Sequence, residues 1–308
     1  MTAPLRLGFV GLGQIGLPMA RRLVAWPGGV TVYDVAAASM DEIATAGASV
    51  ANDVADLARR CDLLSVMVRD DDQVRTVLNA ALPAAAPGLV VAVHSTISPT
   101  TPRELAEAAA LYDVAVVDAP VSGGAMGAAD GTLAIMVGGS AEAFDRCRAP
   151  FALLGDPVVH TGPLGSGTRM KLARNLMHFV AFTAASEAQR LAEASGLDLR
   201  ALGEVVRHTD AVTGGPGAIM HRETTAPIPP DDFWYGVMEH VRALGEKDLE
   251  LAIGLADDLD IEVPLARLAL ERLGPGLGLP ARAHDDGHGV GHRDWHRDPS
   301  NPDEGDHR

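Results

Sequence analysis

Leu5-Arg6-Leu7-Gly8-Phe9-Val10-Gly11-Leu12-Gly13-Gln14-Ile15-Gly16 decides how the rest of the chain is read. A short apolar run ends in a Gly-x-Gly-x-x-Gly turn, and the segment Met19–Ala25 that follows has helical spacing. Between a strand and a helix this pattern points to a dinucleotide. Gly11 permits the tight turn, Gly13 lets the backbone approach a pyrophosphate, and Gly16 lets helix and strand pack closely. The helix N-terminus then turns unpaired N–H groups and partial positive charge towards the phosphates. The next apolar run, Val30–Asp34, ends in an acid 18 residues after Gly16. An acid there is placed to bind the adenosine ribose hydroxyls and to repel a 2′-phosphate, so NAD is expected as cofactor, with NADP not excluded.

Outward from this turn the alternation continues. The runs Leu63–Val68, Leu89–Val93, Val114–Asp118, Leu133–Val137 and Val158–Thr161 are continuous and apolar, and helical segments such as Val74–Leu82 and Arg103–Ala110 lie between them. Such strands with helical crossovers describe a parallel sheet covered on both faces. After Gly165 the strand signal stops. Lys171–Ala194 reads as one long helix, with Leu172, Leu176, Phe179, Val180, Thr183 and Leu191 at three- or four-residue spacing. Helical patterning returns over 198–208 and 237–273, around a Pro/Gly/Thr loop at Thr213–Pro230.

Composition narrows the class. The 308 residues are 47% hydrophobic and 21% charged, as in a globular protein with enough chain for two domains. The net charge of −16 argues against a nucleic-acid surface. No apolar run reaches the ~18 residues of a membrane span, and no basic-then-apolar signal segment opens the sequence. Two cysteines, Cys61 and Cys147, make no disulfide framework and have no metal-ligand spacing. A cytoplasmic protein without a metal is expected.

Two further motifs carry chemistry. Asp118-Ala119-Pro120-Val121-Ser122-Gly123-Gly124 follows the carboxyl end of a strand, the edge at which open α/β sheets bind ligands. The Ser122 hydroxyl and the N–H groups of Gly123 and Gly124 can form an anion nest for a substrate carboxylate. An ordinary glycine turn reads the same residues equally well. Gly165-Ser166-Gly167-Thr168-Arg169-Met170-Lys171 is followed by Asn175, which lies on the same helix face as Lys171. Only two of the 25 basic residues are lysine, Lys171 and Lys247. A chain this committed to arginine does not need lysine for ion pairs, and lysine, unlike arginine, can give up a proton when buried. Lysines surviving by chance at the surface are the plainer alternative.

GLGQIGLPMA, DAPVSGGAMGAADGTLAIMVGG, GPLGSGTRMKLARN and EKDLELAI, in that order and spacing, resemble the β-hydroxyacid dehydrogenase family, over about Leu5 to Gly276. The family includes 3-hydroxyisobutyrate dehydrogenase and tartronate semialdehyde reductase, with 6-phosphogluconate dehydrogenase a longer relative. The resemblance implies a Rossmann-type doubly wound α/β domain over 1–163 and an all-α substrate and oligomerisation domain over 164–278. The remainder, 279–308, reads as a disordered, acidic, His-rich tail. By resemblance, Gly11, Leu12, Gly13, Gln14, Ile15, Gly16 and Asp34 hold the cofactor. Met67 and Val68 pass under it, Thr96 contacts the nicotinamide side, and Lys247 reaches back to close the cleft. Ser122, Gly123 and Gly124 bind a small carboxylate substrate, Lys171 is the catalytic acid/base, and Asn175 orients the substrate.

His94 departs from the family, whose members commonly carry an acid before the Ser-Thr pair; as a strand-end histidine it needs only one hydrogen bond. His178, seven residues after Lys171, is read as packing or as pocket lining. His284, His288, His292 and His296 recur every fourth residue, but Gly287, Gly289 and Gly291 interrupt any helix that would align them. The expected activity is hydride transfer between NAD(P) and a small β-hydroxyacid or its semialdehyde, in a homodimer or homotetramer. The alternatives are an imine reductase on the same fold, relatives of which usually lack the lysine, and a non-catalytic dinucleotide-binding protein.

Overall fold

A computed structural model describes residues 3–281. It groups into two compact units, Met1–Val180 and the chain from Ala181 on. The boundary falls inside the helix Ser166–Ala194, whereas the sequence reading divides the chain at 163. The histidine-rich tail lies outside the described residues.

The first unit is built on nine strands: β1 (Leu7–Val10), β2 (Val30–Tyr33), β3 (Ser49–Val50), β4 (Leu63–Val66), β5 (Val90–Val93), β6 (Ala115–Asp118), β7 (Val121–Ser122), β8 (Ala134–Gly138) and β9 (Val158–Gly162). Their order is β3-β2-β1-β4-β5-β6-β8-β7, with β9 also on β8. From β3 to β6 every pairing is parallel. Beyond that point the pairing changes direction. β8 runs antiparallel to β6, with Asp118 opposite Gly138, and antiparallel to β7. Between β7 and β8 the chain makes only the short helix Gly124–Asp130. The two-residue strands β3 and β7 are too short to show periodicity in the sequence.

Side-chain alternation explains why these strands are apolar throughout. Phe9, Leu63, Val90 and Ala92 enter one core with Met19, Leu23, Ile135 and Phe151. Their neighbours Val10, Leu64, Val91 and Val93 enter a second core with Leu57, Leu78 and Leu105. Both faces are covered, so no position on a central strand is left for a polar outward residue. Asp53, Asp70 and Ser140 accept hydrogen bonds from the first turns of the helices they precede, which fixes where three of the crossovers begin.

The second unit is helical: the end of Ser166–Ala194, then Leu199–Thr213, Phe233–Asp258 and Pro264–Gly276. Its apolar clusters are small, one around Ile228, Met238, Leu277 and Leu279, another around Ile253, Ala256 and Val263. Polar ties supplement them. The buried Glu187 carboxylate accepts from the N–H groups of Leu265 (2.8 Å) and Ala266 (3.0 Å), capping the last helix. Arg242 and Glu246 form a buried pair at 2.7 Å, and Arg242 also donates to the Pro280 carbonyl. No described helix is long and apolar enough to cross a membrane.

Candidate active site

The sheet reverses its winding at β1, which is flanked by β2 on one side and β4 on the other. Outside the carboxyl ends of these strands lies a groove of about 880 Å³. Gly11, Gly13, Gln14, Ile15, Gly16, Asp34, Met67 and Val68 all line it. Leu12 differs: its side chain is buried in the core, and its N–H donates to Asp34 Oδ2 at 2.5 Å. The other Asp34 oxygen accepts from Ala36 N–H at 2.7 Å. Asp34 is thereby held at the rim with lone pairs remaining for hydroxyl donors.

The glycines behave as the motif requires. Gly11 has φ +94°, and a Cβ there would lie 2.1 Å from the Met67 carbonyl. A Cβ on Gly16 would lie 1.9 Å from the Gly11 carbonyl, while Gly13 has open space on its Cβ side. The N–H groups of Gly13, Gln14 and Ile15 find no acceptor among the described residues, and the helix Gly16–Leu23 has no side-chain N-cap. Open space, unpaired donors and a ribose-ready carboxylate fit a dinucleotide.

Further along the same edge, β6 ends in Asp118, which is almost fully buried. Its carboxylate accepts from Gly165 N–H and Thr168 N–H, both at 2.6 Å. Burial pushes the Asp118 pKa up, and these N–H groups oppose the shift. The contact pins the first turn of the long helix to the sheet. Gly167 makes the approach possible, because a Cβ there would sit 2.2 Å from the Met136 carbonyl. Lys171 follows one turn later. Its side chain is buried (8% exposed), and no carboxylate of the described residues lies within 4 Å of its amine. Burial lowers the Lys171 pKa, and the nearby Arg174 charge lowers it further.

Asn175 and His178 stand on the same helix, both half-buried. Arg174 donates to Asn175 Oδ1 at 3.3 Å. Ser122 is half-buried at the end of β7, with Gly123 and Gly124 exposed after it at positive φ. Thr96 is exposed beyond β5 and is not among the groove-lining residues. Lys247 belongs to the second unit, where its amine pairs with Asp248 at 2.7 Å on an exposed face.

Three groups have positioning roles that the local sequence does not show. Asp118 ends an apolar strand just as Asp34 does, and that parallel was the available signal. His94 makes two hydrogen bonds rather than one: Nδ1 donates to the Ala119 carbonyl at 2.8 Å, and Nε2 accepts from Ser65 Oγ at 3.1 Å. It packs between Phe9 and Phe151, and burial pushes its pKa down to about 4. Ser95 Oγ donates to the Val68 carbonyl (2.7 Å) and accepts from Val68 N–H (3.0 Å), which holds the loop under the groove.

Comparison with known proteins agrees with this geometry. Residues 6–162 match the model of the NAD-binding domain of 6-phosphogluconate dehydrogenase. Residues 165–274 match that of the NAD-binding domain of NADP-dependent 3-hydroxyisobutyrate dehydrogenase. The chain belongs to the 3-hydroxyisobutyrate dehydrogenase family of NAD(P)-binding oxidoreductases. Within that family, an NAD-dependent L-serine dehydrogenase of Pseudomonas aeruginosa is 35% identical over 279 residues, covering 86% of this chain and 90% of its own. A crystal structure of an oxidoreductase from Mycobacterium avium 104 shares 53% identity at a TM-score of 0.87, over 90% of this chain and 99% of that one. An imine reductase from Myxococcus stipitatus, solved with NAD+, superposes at a TM-score of 0.72 over 90% of this chain and 97% of that one. Its identity of 19% makes that a likeness of fold alone.

Proposed function

We propose that this dehydrogenase oxidises a small β-hydroxyacid, or reduces the matching semialdehyde, with Lys171 as the acid/base. One observation carries the reading: a buried lysine with no described carboxylate within 4 Å, on a helix clamped by Asp118 to the sheet edge that also holds the dinucleotide groove. A buried lysine without a carboxylate is driven towards its neutral form, which a proton acceptor needs and an ion-pairing lysine does not.

Each group has a part in this reading. Gly11–Gly16 and Asp34 hold the dinucleotide, with Met67 and Val68 beneath it. Bound NAD supplies the hydride acceptor. Ser122, Gly123 and Gly124 take the substrate carboxylate on neutral donors. Asn175 orients the hydroxyl, and the neutral Lys171 amine removes its proton as hydride leaves the carbinol carbon. In the reverse direction the protonated amine returns that proton. Asp34 favours NAD, because a 2′-phosphate would meet its carboxylate and the following Val35-Ala36-Ala37-Ala38 brings no cation to offset it. By family resemblance, Thr96 and Lys247 are cofactor-binding residues.

Self-association is part of the proposal. The helix Leu199–Thr213 buries none of its residues, and Val205, Val206, Val212 and Phe233 are exposed apolar side chains of the second unit. Apolar helical surface of this kind supports a homodimer or homotetramer in the cytoplasm; a monomer by gel filtration overturns that part.

The deciding experiment is a steady-state screen of β-hydroxyacids, semialdehydes and cyclic imines with NAD and NADP, run on wild type and Lys171→Ala. Turnover of hydroxyacids that collapses in the variant is the expected result. Imine turnover that survives the substitution favours the imine reductase. Tight NAD binding without turnover of any compound favours a non-catalytic protein.

A further inference from the structure

The helix that carries Lys171 concentrates positive charge where the chain has removed every acid. From Pro157 to Ser186 there is no Asp or Glu, although the whole sequence has 41. Lys171, Arg174, Asn175 and His178 recur at helical spacings of three and four, so they share one face. Arg174 lowers the pKa of both Lys171 and His178, which places its guanidinium within electrostatic reach of each. It is half-buried, it touches the Asn175 side-chain oxygen, and no described carboxylate lies within 4 Å of it. Other described arginines have partners that Arg174 lacks: Arg22, Arg146 and Arg222 donate to backbone carbonyls. Arg6, Arg75 and Arg242 all engage acids.

A half-buried guanidinium with no described carboxylate beside it is unfavourable on its own account, and it disfavours the charged form of Lys171. Its charge adds to burial in lowering the Lys171 pKa, an effect that is the same for every substrate. An anion arriving with the substrate would remove that cost. The single carboxylate of a simple β-hydroxyacid is already provided for by Ser122, Gly123 and Gly124, whose donors are neutral. Arg174 is left over, and its planar fork is suited to a second carboxylate, a sulfonate or a phosphonate.

We infer that Arg174 is a specificity-determining residue that gives this site a preference for β-hydroxyacids bearing a second anionic group. The second anion lies on the arm of the substrate that faces the Lys171–His178 helix, and the first sits on the glycine nest. The inference rests on the dehydrogenase reading for its substrate class but not for the anion site itself.

The test uses the full-length protein and matched substrates: 3-hydroxyisobutyrate as the monoanion, 2-(hydroxymethyl)succinate as the dicarboxylate, and its sulfomethyl analogue. Wild type should favour a dianion over the monoanion in kcat/KM by roughly 10- to 100-fold, the size of a charge-assisted contact. Arg174→Gln should bring that ratio close to one, and Arg174→Lys should recover part of it. The ratio cancels whatever Arg174 does through Lys171, which acts on all substrates alike. The better of the carboxylate and sulfonate arms identifies the second group. A wild-type preference for the monoanion, or a ratio unmoved by Arg174→Gln, overturns the inference. Calorimetric binding of the unreactive pair isobutyrate and methylsuccinate, with and without NADH, separates the two levels. Tighter methylsuccinate binding that Arg174→Gln abolishes, without turnover of any alcohol, upholds the anion site and overturns the dehydrogenase reading. Equal binding of the pair by wild type overturns the anion site.

Discussion

Lowering the pH should weaken this fold through one buried ring. His94 sits between two phenylalanines, donates from Nδ1 to the Ala119 carbonyl and accepts at Nε2 from Ser65. The Ala119 carbonyl can only accept, so the neutral ring has its proton on Nδ1. A second proton on Nε2 would face the Ser65 oxygen, forcing that hydroxyl to turn away from its acceptor inside an apolar pocket. The folded-state pKa is about 4 against an ordinary 6.5. Because the folded value lies below the unfolded one, the stability that His94 contributes is present above about pH 6.5 and is lost as the pH falls towards 4. Linkage over that interval gives a loss of about 2 kcal/mol between pH 7 and pH 5. The assay is urea unfolding of wild type and His94→Asn at pH 7, 6 and 5. Asparagine keeps a donor near the Nδ1 position but does not titrate, so subtracting the two pH profiles cancels every other group. Wild type should lose about 2 kcal/mol more than the variant across this range. Parallel profiles would refute the assigned burial and tautomer.

Three further outcomes follow from the site. Hydroxyacid oxidation needs neutral Lys171, so kcat/KM should rise with pH through an inflection below the ordinary 10.5; Lys171→Arg should remove the inflection and lower kcat by about 10²-fold or more. Asp118→Ala should cost about 3 kcal/mol in unfolding free energy, by leaving the Gly165 and Thr168 N–H groups without their carboxylate, and should reduce kcat along with it as Lys171 loses its anchorage. Asp34→Ala should lower kcat/KM for NAD roughly 10- to 100-fold while NADP is spared or improved, and equal losses for both cofactors would contradict the ribose contact.

The legible parts of the site are those written in local chain geometry. Gly11–Gly16 is readable because a Cβ at Gly11, which has a positive φ, would lie 2.1 Å from the Met67 carbonyl, so the turn admits only glycine there. Lys171 stands out because arginine, which cannot take its place in proton transfer, supplies nearly every other cation. The role of Asp118 is not legible in its motif. Its partners, Gly165 and Thr168, are 47 and 50 residues away, and nothing near Asp118 in the sequence announces them. His94 was read as a one-bond strand end for the same reason, since Ser65 and Ala119 reach it from two other strand ends.

The sequence on its own determined the family, the alternation that makes a sheet with both faces covered, and the residue types of the cofactor loop, because each depends on spacings of a few residues. Only the tertiary structure decided that β8 runs antiparallel, that Asp118 clamps the helix carrying Lys171, and that Lys171 is buried without a described carboxylate within 4 Å. Those facts depend on which distant backbone donors and charges come within a few ångströms, and distances between segments far apart in the chain are set by packing, not by the order of residues along it.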